Sequence, residues 1–268
     1  MNKELLNDVS TDLAGGDPEA ALKKLKDVVR SHPSDCELRL TLAQLEMING
    51  HWDKAAAAAD AAGTMDVDRA LLCQQWRLQI QAEETRAEVF AGKTTAFVMG
   101  DPDPWIAGLQ EALRLDGEGH AEAAAEARRK SLESAPAIPG SIDGQAFEWL
   151  CDADERIGPC FEAVINGRYT WVPQAVVTSL TTKPPADLLD MVWTEVVMKL
   201  QNGGETAAMM PVRYPDSHSD PEGKIRLSRM TSFGETPGGT RTGLGQRLFA
   251  TDVEDHAQLE TREIQFHA

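Results

Sequence analysis

The sequence predicts a two-part α plus β protein: tetratricopeptide-like helical repeats over residues 1–135, then a β-rich, small-barrel-like domain over residues 140–268. Three observations carry this. Apolar residues recur at helical spacing through the first half. A turn motif repeats there at a fixed offset. After the proline-rich stretch Pro136-Ala137-Ile138-Pro139-Gly140, short runs rich in Val, Ile, Tyr and Trp stand between Gly, Pro and Asn.

Leu22, Leu25 and Val29 fall on one helical face, as do Leu38, Leu42, Leu45 and Ile48. Gly15-Gly16-Asp17-Pro18 closes one helix and opens the next, with Asp17 as N-cap and Pro18 at the first helical position. Gly16-Asp17-Pro18-Glu19-Ala20-Ala21 aligns with Gly50-His51-Trp52-Asp53-Lys54-Ala55 at an offset of 34 residues, the tetratricopeptide period. Gly119-His120-Ala121-Glu122-Ala123-Ala124 repeats the motif 69 residues after Gly50, about two periods. The unit between is degenerate, and Phe90 to Pro104 reads as an insertion. The alternative for this half is an irregular bundle.

In the second half, Phe161 to Ile165 and Tyr169 to Pro173 flank Asn166-Gly167, a strong hairpin signal. Val192 to Leu200, Lys224 to Arg229 and Gly245 to Thr251 read as further strands. This spacing suggests a small barrel or a strongly bent sheet.

Composition narrows the function. The formal net charge is −17, with acidic residues in excess in both halves. Such a field repels phosphate backbones and anionic lipid, so nucleic-acid and membrane-surface roles are disfavoured and a partner with basic flanks is favoured. Cys36, Cys73, Cys151 and Cys160 form no CxxC pair, and no apolar stretch suits a signal peptide or a bilayer span. A cytoplasmic protein with reduced thiols is expected.

Motifs with catalytic potential read weakly. Asp152-Ala153-Asp154 could hold Mg²⁺ and support phosphoryl transfer. The haloacid dehalogenase pattern, however, requires Thr or Val where Arg156 stands. The plainer reading is a turn whose carboxylates pair with Arg156. Gly238 to Gly245 resembles a phosphate cradle but lacks the Lys-Ser/Thr ending and a following helix, so a mobile hairpin loop is expected. The histidines show no ligand spacing, and no Gly-x-Ser-x-Gly elbow occurs. No catalytic residue, metal or cofactor is therefore expected. Arg156, Arg168, Arg213-Tyr214, Arg229 and Arg247, beside aromatic and acidic groups, could line a binding surface or staple a barrel.

One resemblance spans residues 144 to 247. It rests on Gly144-x-x-Phe147-x-Trp149-Leu150-x-Asp152-Ala153-Asp154-x-Arg156-x-Gly158-Pro159-x-x-Glu162, then Gly167-x-Tyr169-x-Trp171-Val172-Pro173 and Asp187-Leu188-x-Asp190-x-Val192-Trp193. Pro211-x-Arg213-Tyr214-Pro215, Arg229-x-Thr231 and Gly243-x-Gly245-Gln246-Arg247 complete it. In these motifs the chain resembles the ImpE family, also called TagJ, accessory proteins of bacterial type VI secretion. Leu189 and Phe233 stand where arginine and tryptophan are common in that family. The resemblance implies a non-enzymatic adaptor that binds the N-terminal helix of the sheath small subunit and is linked to the sheath-recycling ATPase ClpV. Expected binding residues are Trp149, Asp152, Asp154, Arg156, Tyr169, Trp171, Arg213, Tyr214, Arg229, Gln246 and Arg247, each of which could instead be structural. The rival readings are a Mg²⁺-dependent phosphoryl-transfer enzyme at Asp152 and Asp154, and a general tetratricopeptide scaffold.

Overall fold

The computed structural model describes residues 3–267. A 3₁₀ turn at Lys3–Leu6 leads into α1 (Asn7–Gly15), α2 (Pro18–Ser31), α3 (Cys36–Ile48), α4 (Trp52–Met65) and the long α5 (Ala70–Phe90). A short strand, β1 (Phe97–Val98), precedes α6 (Pro104–Gly117) and α7 (Ala121–Ser134).

The repeated motif marks the same turn three times. Helices α2, α4 and α7 each run 14 residues. Each begins two residues after a glycine in the left-handed region, with φ of 87° at Gly16, 71° at Gly50 and 81° at Gly119. At Gly50 the need is also steric, since a Cβ there would lie 2.1 Å from the His218 ring of the second half. Asp17 caps α2 as expected, accepting from the Ala20 amide at 2.9 Å, and Asp35 caps α3 through Leu38 at 3.1 Å.

The second half is β-rich. Its strands are β2 (Gly140–Ile142), β3 (Gln145–Phe147), β4 (Leu150–Asp152), β5 (Cys160–Ile165), β6 (Arg168–Pro173), β7 (Val177–Thr182), β8 (Trp193–Leu200) and β9 (Glu205–Pro211). The short helix α8 (Gly223–Arg226) precedes β10 (Thr231–Glu235), β11 (Arg241–Gly245), β12 (Leu248–Thr251), β13 (Asp255–Ala257) and β14 (Glu263–Phe266). Nine strands pair in the order β1-β6-β5-β9-β8-β7-β14-β2-β3, while β13-β12-β4 and β10-β11 form smaller sheets. The helical-then-β arrangement is therefore as expected. The β5–β6 hairpin turns at Asn166 and Gly167, both at positive φ.

Three expectations need correction. The large sheet is linear and its end strands β1 and β3 do not pair with each other, so it is not a closed barrel; spacing of short strands cannot distinguish an open sheet from a closed one. The stretch from Phe90 to Pro104, read as an insertion, carries β1, which pairs parallel to β6 and gives the first half an edge of the sheet. Lys224 to Arg229 alternates like a strand, but the Glu222 side chain caps the Lys224 amide and opens α8. Gly245 to Thr251 is split: β11 ends at Gly245 and β12 starts at Leu248.

Apolar packing crosses from one half to the other. The cluster of α1 to α5, centred on Leu25, Leu45 and Ile48, takes in Leu189, Val192, Trp193 and Leu227. A second cluster joins Val89, Trp105, Ile106 and Leu109 to Ile157, Cys160, Val164 and Trp171. The third, with Phe161, Val196, Met210 and Phe249, lies within the β-rich half. No helix among the described residues is long and apolar enough to cross a membrane.

Candidate partner-binding groove

Most expected site residues meet in one buried ionic network. Arg86 of α5 reaches Glu162 of β5 through two hydrogen bonds, Nε–Oε1 at 2.6 Å and Nη2–Oε2 at 3.0 Å. Arg247 pairs with both Glu162 and Asp152. The Tyr169 hydroxyl donates to Glu162 and accepts from Trp171 Nε1, the latter at 2.8 Å. Glu83 links Arg86 to the Trp193 indole, which donates to its Oε1 at 2.9 Å. Burial would raise Glu162, but the Arg86 and Arg247 guanidiniums overcome it and hold its pKa at about 2. At Asp152 burial wins over Arg247, nearby Asp154 adds to it, and the pKa is pushed up to about 6.

The Asp pair is fully occupied by this chain. Asp152 Oδ1 accepts from the Asp154 amide at 2.8 Å, and its other oxygen meets Arg247. Asp154 is clamped by Arg156, with Oδ2–Nη2 at 2.6 Å, and that oxygen also accepts from the Gly243 amide at 2.9 Å. The glycine is required: a Cβ at Gly243 would lie 2.3 Å from the Tyr214 ring. Among the described residues no cluster of His, Cys, Asp and Glu is arranged to hold a metal.

Two further arginines act on the first half. Arg213 has no acidic partner among the described residues; it donates to Ile48 O at 2.6 Å and Met47 O at 3.2 Å, closing the C-terminal end of α3. Arg229 does the same for α1 through Leu13 O at 2.6 Å. A cation is favoured where helix carbonyls are left unpaired. Gln246 bridges Ser228 O and the Leu259 amide, and the Tyr214 hydroxyl accepts from the Leu248 amide. Of the eleven expected residues, Trp149 alone has a large apolar side chain open to solvent, at 37% exposure. The glycine-rich loop is docked, contrary to a mobile hairpin: Gly238 packs on Ala121, and buried Thr240 accepts from Arg128 at 2.7 Å.

The opening suited to a partner lies elsewhere. A groove of about 930 Å³ runs between the helices and the large sheet. Its floor is three helical stripes: Leu6, Val9 and Leu13 of the α1 segment; Leu40, Thr41 and Gln44 of α3; Leu72, Trp76 and Gln79 of α5. The facing wall is Leu188, Leu189, Trp193 and Met209, with Asn166 and Gly167 of the β5–β6 turn. Glu37 and Arg69 pair at 2.6 Å at one end, and Gln44 holds Asp187 at 2.9 Å at the other. The motif-based reading missed this groove. Its signal in the sequence was the Leu6, Val9, Leu13 spacing of α1 together with Leu40 of α3 and Leu72 of α5, residues that also pack against the helical core.

Three comparisons bear on this architecture. The family model described as ImpE protein matches residues 144–265. The type VI secretion system accessory component TagJ of Pseudomonas aeruginosa is 40% identical over 254 residues, covering 95% of this chain and 89% of that protein. The chain belongs to the ImpE/TagJ family. An X-ray structure of protein VPA1032 from Vibrio parahaemolyticus has the same fold, with a TM-score of 0.89 over 97% of each chain at 20% identity. The ImpE match begins at Gly144, so the family motifs lie in the β-rich half, whereas the groove floor is helical.

Proposed function

We propose that this ImpE/TagJ-family chain is a non-enzymatic adaptor of a bacterial type VI secretion system. It binds the N-terminal helix of the sheath small subunit and is thereby linked to sheath recycling by ClpV. The observation that carries this reading is the groove: Leu6, Val9 and Leu13 of the α1 segment, Leu40 of α3, and Leu72 and Trp76 of α5 line one floor, and an apolar floor of this kind accepts one face of an amphipathic helix. Tetratricopeptide-like stacking of α1 to α5 accounts for the stripes lying side by side. The name of the Pseudomonas aeruginosa relative supports the secretion role. The charge of −17 favours a partner with basic flanks and, in this reading, acts mainly on its rate of encounter. The setting is the cytoplasm. The ionic network serves as the frame that fixes the groove wall through Trp193 and Glu83, and Trp149 offers a second contact surface.

Isothermal titration of the full chain with a synthetic sheath-subunit N-terminal peptide tests the reading. Micromolar or tighter binding is expected, and Leu72→Ala and Leu188→Ala, both half-buried in the groove, should each weaken it at least tenfold, compared at a temperature well below each variant's melting point. Absence of binding by the intact protein would leave only a general scaffold role.

A further inference from the structure

The two ends of the groove differ in charge. At the end where Gln44 meets Asp187, the lining carries three carboxylates, Asp187, Asp190 and Glu195, and no basic residue. Asp190 spends one oxygen on the Ala186 and Asp187 amides, at 2.6 and 2.7 Å. Glu195 is exposed on β8 and enters no ion pair among the described residues. At the other end stands Arg69, the one basic residue among the described lining residues, held by Glu37. Glu37 and Gln44 lie seven residues apart on α3, so these ends are separated by about 10 Å along the floor. Two residues either side of Arg69 in the chain, Val67 and Leu71 are 83% and 68% exposed.

A helix carries its own polarity. Its first amides are unpaired and positive, and its last carbonyls are unpaired and negative. From this complementarity we propose that the partner helix docks in one direction, its N-terminus at Asp187, Asp190 and Glu195 and its C-terminal turns passing Arg69 onto Val67 and Leu71. The proposal rests on the adaptor reading and deepens it. It makes the groove directional: the segment that follows the docked helix leaves over the α4–α5 end of the molecule, so the body of the partner sits on that side.

Paramagnetic broadening decides it. The full chain, labelled with ¹⁵N, is mixed with the sheath-subunit peptide carrying a nitroxide at its N- or C-terminus. The N-terminal label should broaden the Gly167 and Glu195 amides, and the C-terminal label those of Val67 and Leu71. Glu195→Lys should weaken binding about threefold at low salt and less at high salt, as expected for a charge near a helix end. The swapped pattern, or equal broadening of both ends by both labels, overturns the direction while leaving the groove as the binding site. Binding without broadening at either end, or no binding, overturns the direction and the groove together.

Discussion

Arg86 and Glu162 join the two halves of this protein through a doubly hydrogen-bonded ion pair, at 2.6 and 3.0 Å, with both side chains sealed from solvent. One lies on α5, the longest helix, and the other on β5, the third strand of the large sheet. Breaking a pair of this kind strands a charge where water cannot reach it, so Arg86→Ala or Glu162→Gln is expected to cost about 3–5 kcal/mol. Urea denaturation measures it. A loss below about 1 kcal/mol would mean that the remaining arginines and Tyr169 re-satisfy the site.

The same network gives opposed pH responses. Asp152 has a folded pKa of about 6 against an ordinary 3.8. Its contribution is fully present below the ordinary value and is lost as pH rises through 6. Glu162, held at about 2 against 4.5, contributes above its ordinary value and loses that contribution as pH falls through 2. Asp152→Asn should therefore remove part of the fall in stability between pH 4 and 6, of order 2–3 kcal/mol at most, measured as melting temperature against pH. An unchanged slope in that window would show that Asp152 titrates normally.

Mg²⁺ at millimolar concentration is expected to leave the melting temperature unchanged, because the oxygens of Asp152 and Asp154 are taken by Arg247, Arg156 and three backbone amides. A native-state ligand must stabilise the protein, so a rise lost in Asp152→Asn would restore the phosphoryl-transfer reading.

Limited proteolysis is expected to cut first at 136–140, where Pro136, Ala137 and Pro139 are exposed, and to spare Gly238 to Gly243, which is docked on α7. The two fragments should then co-elute, since Leu189, Trp193 and Leu227 pack among the helices and β1 pairs with β6. Separation of the fragments under native conditions would contradict this.

What could be read from the sequence follows the range of the interactions. The turn glycines, the Asp17 cap and the Asn166-Gly167 hairpin are local, and each appears where expected. The repeat offset likewise located α2, α4 and α7. The β1–β6 pair could not be read, because a two-residue strand has no periodicity and its partner is over 70 residues away. The motif residues drew attention for their chemistry, yet Asp152, Arg213 and Arg247 are buried and bonded within the chain. An arginine beside an aromatic looks the same in a sequence whether it faces a partner or a helix end. The groove was hidden for the opposite reason. Its floor is leucine among ordinary Val, Thr, Gln and Trp side chains, and only the stacking of three helices turns those stripes into one surface.

In the proposed function the helical groove, and not the motif-rich face, receives the sheath subunit. Site-specific photo-crosslinking tests it most directly, with a benzophenone residue at Gln75 in the groove or at Trp149 on the β-rich half, and the purified full-length sheath small subunit as partner. The Gln75 probe is expected to crosslink into the first helix of the subunit, and the Trp149 probe is expected not to reach that helix. Crosslinking of that helix from Trp149 with none from Gln75 would contradict it.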